Sequence, residues 1–279
     1  MSPTARAEDA STAVPKYILW PYTPSIVAGA IATAVMLTLF LIHTARLFRS
    51  KTWFCIPFVL GALFETTGYA ARIAAHHNTT SLAPYILQST LILLAPILFA
   101  ASIYMVLGRL IQRTDSAGYA LVRVTWLTKL FVGGDVVCFL IQGGGAGLLA
   151  GATTASGFQR GETLILGGLV LQIIVFGFFV AVAATWHCRL RARPTLRSGE
   201  VPWEVMMGLL YMASVCVTVR NLLRVVEYGL GQDGYLHTHE WPLYIYDSLL
   251  MAITLVVCLA WYNPDIKPIR KAEFEFVRR

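Results

Sequence analysis

Charge is scarce in this chain: 13% of its 279 residues are Asp, Glu, Lys or Arg, against 57% hydrophobic. So little charge cannot cover the surface of a soluble domain of this size, and a mean hydropathy of +0.64 points the same way. Cysteine is scarce too, with Cys55, Cys138, Cys188, Cys216 and Cys258 all lying in or at the ends of apolar runs. They show no CxxC spacing, so neither a cysteine-held zinc nor an extracellular disulfide is expected, and they read as small packing residues. No Gly-Lys-Ser or Gly-Lys-Thr phosphate loop occurs, which excludes a Walker-type ATPase within the chain. The first 15 residues lack the basic start and short apolar core of a cleavable signal.

What is abundant is long apolar sequence. Seven runs, at roughly 24–45, 53–75, 84–108, 124–149, 161–187, 203–228 and 242–261, each reach bilayer-spanning length. Lipid offers the backbone no hydrogen bonds, so each run is expected to be an α-helix. The expected fold is an all-α membrane protein, a seven-transmembrane helix bundle over residues 24–261, between a tail at 1–23 and a basic tail at 262–279.

The net charge of +7 is a topology signal and does not suggest nucleic acid. Alternate connections and the C-terminal tail hold 15 Lys and Arg, including Arg46, Arg109, Arg189 and Lys271, while the opposite side holds only Arg6, Lys16 and Arg160. The positive-inside rule then places the N-terminus outside and the C-terminus in the cytosol. That orientation puts the sequon Asn78-Thr79-Thr80 in an outer loop, as a candidate glycosylation site.

Charges within the runs carry the functional question, because an ionisable group at that depth survives only in a polar interior. Glu65, Tyr69 and Arg72 are spaced i, i+4, i+7, and so are Arg220, Arg224 and Glu227, so each trio shares one helix face. At about 1.5 Å per residue, Asp135 falls near mid-membrane, and Gln88, Gln142, Gln172 and Asp247 fall at middle or outer depths. Glu65, Asp135, Arg220, Arg224 and Glu227 are expected to converge on one polar interior. Arg220 and Arg224 are like charges one turn apart and need neutralising by acids or by a ligand. Pro96 should kink the third helix. The glycine run Gln142-Gly143-Gly144-Gly145 should permit close helix approach or local unwinding. His76, His77, His237 and His239 have the chemistry of zinc ligands, but loop histidines are ordinarily solvated, and neither metal nor cofactor is expected.

Taken together these residues resemble a known family. Phe64-Glu65, Gly68-Tyr69, Arg72, Gln88, Ala95-Pro96, Tyr104 and Gly108-Arg109 form its first half. Asp135, Gln142 with its glycines, Gly168, Gln172, Arg220, Arg224, Glu227-Tyr228, Tyr244, Asp247 and Pro264 form its second. The pattern resembles the fungal RTA-like, lipid-translocating exporter family over about residues 20–268. The resemblance implies a multi-pass protein of the plasma membrane or an endomembrane that translocates lipids or other amphiphiles (sphingoid-base-like, sterol-like or xenobiotic) and confers resistance to toxic ones. Glu65, Tyr69, Arg72, Gln88, Asp135, Gln142, Gln172, Arg220, Arg224, Glu227 and Asp247 would then bind substrate. Two other readings of the same residues are an intramembrane enzyme, with Asp135 and Glu65 as an acid/base pair, and a seven-helix sensor. The partners expected are the membrane and an amphiphilic small molecule; the oligomeric state stays open.

Overall fold

The computed structural model describes residues 23–77, 82–151, 154–230 and 239–262. Among these it contains seven helices long and apolar enough to cross a membrane. They are α1 (Ile26–Ser50), α2 (Ile56–His77), α3 (Leu82–Arg113), α4 (Val124–Ala150), α5 (Ala155–Ala192), α6 (Trp203–Gly229) and α7 (Leu243–Trp261). The chain is thus an integral multi-pass membrane protein. Its outer faces carry well-exposed Val27, Leu140, Ile174 and Val205, an apolar covering that suits lipid.

Successive helices pack side by side, and α7 returns to touch α1. Helix α3 runs through the middle and also meets α6. Within its most apolar stretch 72% of α3 is buried, against 22% of α4, so the interior is organised around α3 while α4 lies at the rim.

Several helices outrun their apolar patterns. Helix α5 has 38 residues, about 57 Å at 1.5 Å per residue, and so extends well past a hydrocarbon core. Arg160, Glu162, Arg189 and Arg191 end the hydrophobic run but sit comfortably in a helix, so the apolar window understates its length. Helix α7 departs further. Its first seven residues, Leu243–Leu249, are wound as a π-helix before Leu250–Cys258 continues as an α-helix. Helix α3 continues through Pro96.

Glycine sets the closest approach, and α4 remains helical through its glycine run. A Cβ on Gly145 would lie 2.9 Å from the Gly161 carbonyl oxygen, so α4 and α5 meet backbone to backbone there. On the opposite flank, a Cβ on Gly61 of α2 would collide with the Phe99 ring at 2.4 Å, which holds α2 hard against α3.

The end of the bundle away from the start of α1 is tied by aromatic and imidazole contacts. His43 Nε2 donates to the Leu255 carbonyl at 3.0 Å, which leaves Nδ1 to accept from the Tyr262 hydroxyl at 2.9 Å. Trp186 Nε1 donates to Ser116 Oγ at 2.9 Å.

Candidate functional site

The charged side chains gather toward the end where α1 begins. Arg220 lies 17 residues along α6, about 26 Å from Trp203 by helical rise, and about 14 Å before Gly229. Its side chain is fully buried. Nε donates to Oδ1 of Asp247, Nη1 to Asn221 Oδ1 at 3.4 Å, and Nη2 to the carbonyl oxygen of Ile92 at 3.1 Å. The last contact follows from Pro96. Proline has no N–H, so the carbonyl four residues earlier, that of Ile92, loses its helical donor. The Arg220 guanidinium replaces that donor from a neighbouring helix. One side chain therefore satisfies the break in α3 and grips α7.

Arg224 is one turn further on. It donates to Glu227 Oε2 at 3.0 Å and, through Nη2, to Oδ2 of Asp247. The fully buried Asp247 thus gives one oxygen to each arginine. Tyr246 donates to Glu227 Oε2 at 2.7 Å. The two arginines face two carboxylates, so their charge is balanced within the protein without a ligand head group.

Glu65 of α2 stands beside this layer, within electrostatic range of Asp247, Arg220 and Arg224. Its side chain is 0% exposed, and neither carboxyl oxygen has a hydrogen-bond partner among the described residues. Buried polar groups are nearly always partnered, which makes this an unusual position.

A second cluster lies nearer the end of the bundle, about 10 Å further along α2 by helical rise. Arg72 donates to Glu240 Oε1 at 3.0 Å, to the Tyr244 hydroxyl at 3.1 Å and to Gln88 Oε1 at 3.4 Å. Glu240 also accepts from the backbone N–H of Ser25, which caps α1. This cluster ties α1, α2, α3 and α7 together. Tyr69 stacks on Tyr244 with ring centroids 6.1 Å apart and so lies between the two clusters.

The remaining polar residues lie elsewhere. Gln142 of α4 donates to Gln172 of α5 at 2.9 Å, while its own amide oxygen has no partner among the described residues. Asp135 accepts from the Tyr104 hydroxyl at 2.8 Å through Oδ2, with Oδ1 unpartnered among the described residues. Phe131, Phe176 and Phe179 pack around Tyr104. On α3, Tyr104 is 12 residues beyond Ile92, roughly 18 Å along the axis. Asp135 is therefore not brought to the charged layer, contrary to the expectation of a single convergence. It does not assemble an acid/base pair with Glu65 either.

Sequence reasoning overlooked Glu240, Tyr246 and Asn221, and held Tyr104 and Tyr244 only as part of the family pattern and not as site groups. Glu240 and Tyr244 are four residues apart on the approach to α7, a spacing that hints at their contact. Nothing in the apolar pattern of 242–261 signals a π-helix. Asn78 lies outside the described residues, as do His237 and the backbone following His77. His76 Nδ1 donates to the Pro24 carbonyl at 2.8 Å.

Residues 58–267 match the family described as RTA1 like protein. The chain belongs to this family. Glu65, the two arginine clusters and Asp135 all fall within the matched segment, and α1 precedes it. Among curated relatives of this RTA1-like protein, Protein RTM1 of Saccharomyces cerevisiae is 36% identical over 203 residues, covering 72% of this chain and 65% of the relative. Protoporphyrin uptake protein 1 of the same species is 33% identical, covering 72% of this chain and 66% of the relative. Sphingoid long-chain base transporter RSB1, from a strain of that yeast, is 26% identical and covers 80% and 67%. The chain thus spans slightly under two thirds of the length of the first two. No solved structure matches it.

Proposed function

We propose that this RTA1-like protein binds lipids or other amphiphiles by their polar heads inside the bundle, moves them across the membrane, and so confers resistance to toxic ones. The observation that carries the reading is the layer of buried charge held among α2, α6 and α7 of an otherwise apolar bundle, where ionisable groups ordinarily mark a substrate path. Relatives named as a sphingoid long-chain base transporter and a protoporphyrin uptake protein support the same class of cargo. Glu65, Asp135 Oδ1, Gln142 Oε1 and Arg224 Nε are among the buried groups without a partner among the described residues and so could meet a head group, whereas Arg220 and Asp247 are committed to each other. The charge bias of the loops supports an N-outside orientation, with the clusters in the outer half.

The test is reconstitution of the purified protein into liposomes, with leaflet-resolved uptake and efflux of a panel of fluorescent amphiphiles. Movement above that in protein-free liposomes is expected for at least one member. If every probe behaves as in empty vesicles, the protein is not a translocator by itself.

A further inference from the structure

Among the buried acids of the layer, Glu65 is the one the ion pairs leave out. Arg220 uses Nε, Nη1 and Nη2 on Asp247, Asn221 and the Ile92 carbonyl, and Arg224 uses both terminal nitrogens on Glu227 and Asp247. Neither arginine donates to Glu65, and both Glu65 oxygens are unpartnered among the described residues, with the side chain 0% exposed. The charged groups acting on it are Asp247 of α7 and Arg220 and Arg224 of α6, and Glu65 in turn acts on Tyr69 of its own helix. Helix α3 presents Ile92, Ala95 and Phe99 beside Gly61 and Gly68, the flanking small residues of α2.

The charge balance is then simple. Among the described residues Arg220 and Arg224 offset Asp247 and Glu227, so this set is neutral when Glu65 carries a proton and has one negative charge in excess when it does not. An isolated carboxylate in so apolar a place is costly, and Asp247 nearby raises that cost. A buried carboxyl kept merely for packing is expected to hold hydrogen bonds, as the other acids here do. Only two species restore neutrality around an ionised Glu65: a proton on it, or a cation beside it.

Resting on the translocation reading above, we propose that Glu65 exchanges its proton for the positively charged head of an amphiphile. When the cationic head enters the layer, the Glu65 carboxyl releases its proton to the aqueous phase and the carboxylate holds the head. When a proton returns, the head is released. One cation moves one way for one proton moving the other way, and the layer is neutral in both states. An anionic head finds no spare positive charge there, so the site selects amphiphilic cations and is driven by a proton gradient.

The test uses the full chain in liposomes with the membrane potential clamped by potassium and valinomycin. The probes are a fluorescent long-chain quaternary ammonium, which carries no exchangeable proton, and a fluorescent long-chain sulfonate. With an acidic interior, the quaternary ammonium is expected to accumulate inside at least tenfold, with the sulfonate indifferent to the gradient. Glu65→Gln is expected to abolish that accumulation, and Glu65→Asp to retain part of it. Infrared spectra of the purified protein supply a readout independent of transport: a protonated-carboxyl C=O band absent from Glu65→Gln and lost when the quaternary ammonium is added. Quaternary ammonium movement that ignores the gradient overturns the exchange and leaves translocation standing. Failure of every probe to move overturns the translocation reading itself. Absence of a Glu65 carboxyl band overturns the proposal whatever the transport result, and if Glu65→Gln does not fold, the gradient response of Glu65→Asp decides.

Discussion

The charged layer on α6 and α7 and the surroundings of Asp135 are two answers to the same difficulty, an acid buried inside a membrane bundle. Asp247 is gripped by two guanidiniums, one on each oxygen, and those are further tied to Glu227, Asn221 and the Ile92 carbonyl. Among the described residues Asp135 has one phenol as partner, that of Tyr104, whose ring is packed by phenylalanines, and one unpartnered oxygen. The first arrangement holds three helices in register and leaves little unfilled. The second fixes one side chain lightly and leaves hydrogen-bonding capacity free. Rigid polar groups and available ones thus occupy different helices of one bundle, and Glu65, unpartnered yet adjacent to the rigid network, joins the two properties in one place.

The comparison breaks most decisively at Asp247. Replacing it with Asn leaves Arg220 and Arg224 facing each other across one turn, and removing one partner of a buried pair costs about 3–5 kcal/mol. Thermal unfolding in detergent should show that loss, together with reduced yield of folded protein. Glu65→Gln, which removes no ion pair, should cost under about 1 kcal/mol by contrast. Equal losses in the two variants would erase the distinction between paired and unpaired acids.

A finer test concerns the link between Arg220 and Pro96. Arg220→Lys keeps the charge but loses the planar fork that reaches both Asp247 and the Ile92 carbonyl, and should destabilise by about 1–3 kcal/mol. Pro96→Ala restores an N–H to α3 and returns a helical partner to Ile92. Part of the Arg220→Lys loss should therefore be recovered in the double variant, read as a coupling energy in a double-mutant cycle. Strict additivity would show that the guanidinium does not stand in for the missing backbone donor.

The smallest effect is expected at the lightly held acid. Tyr104→Phe removes the hydrogen bond that Asp135 accepts from the phenol and should cost about 1 kcal/mol, consistent with a single net hydrogen bond. A loss as large as that of Asp247→Asn would show that Asp135 is as firmly built into the fold as the ion layer.

Much of the architecture was legible in the sequence because membrane insertion imposes it locally. A helix in lipid must satisfy its own backbone, so long apolar runs define seven helices, and the i, i+4, i+7 spacing of Arg220, Arg224 and Glu227 places them on one face. Helix ends were less legible, since Arg160 and Arg191 leave the hydrophobic pattern without leaving the helix. The neutralisation of the arginines was not legible either. It depends on a π-wound start to α7 that brings Asp247 between them, and no residue pattern in Leu243–Leu249 announces that winding. Glu240 reads as a loop acid among histidines, yet it closes the Arg72 cluster and accepts from the Ser25 N–H.

By itself, then, the sequence determines that this protein is a helical membrane bundle with charge inside it, because both facts follow from hydropathy and the cost of burying ions, which act on each segment alone. Which charges meet was decided only by the tertiary structure. Pairing depends on distances between atoms of different helices, set by the glycine contacts of Gly61 and Gly145, the lost donor at Pro96 and the π-helical turn around Asp247. For that reason Asp247 is bound while Glu65, an acid in an equally apolar run, has both carboxyl oxygens unpartnered among the described residues.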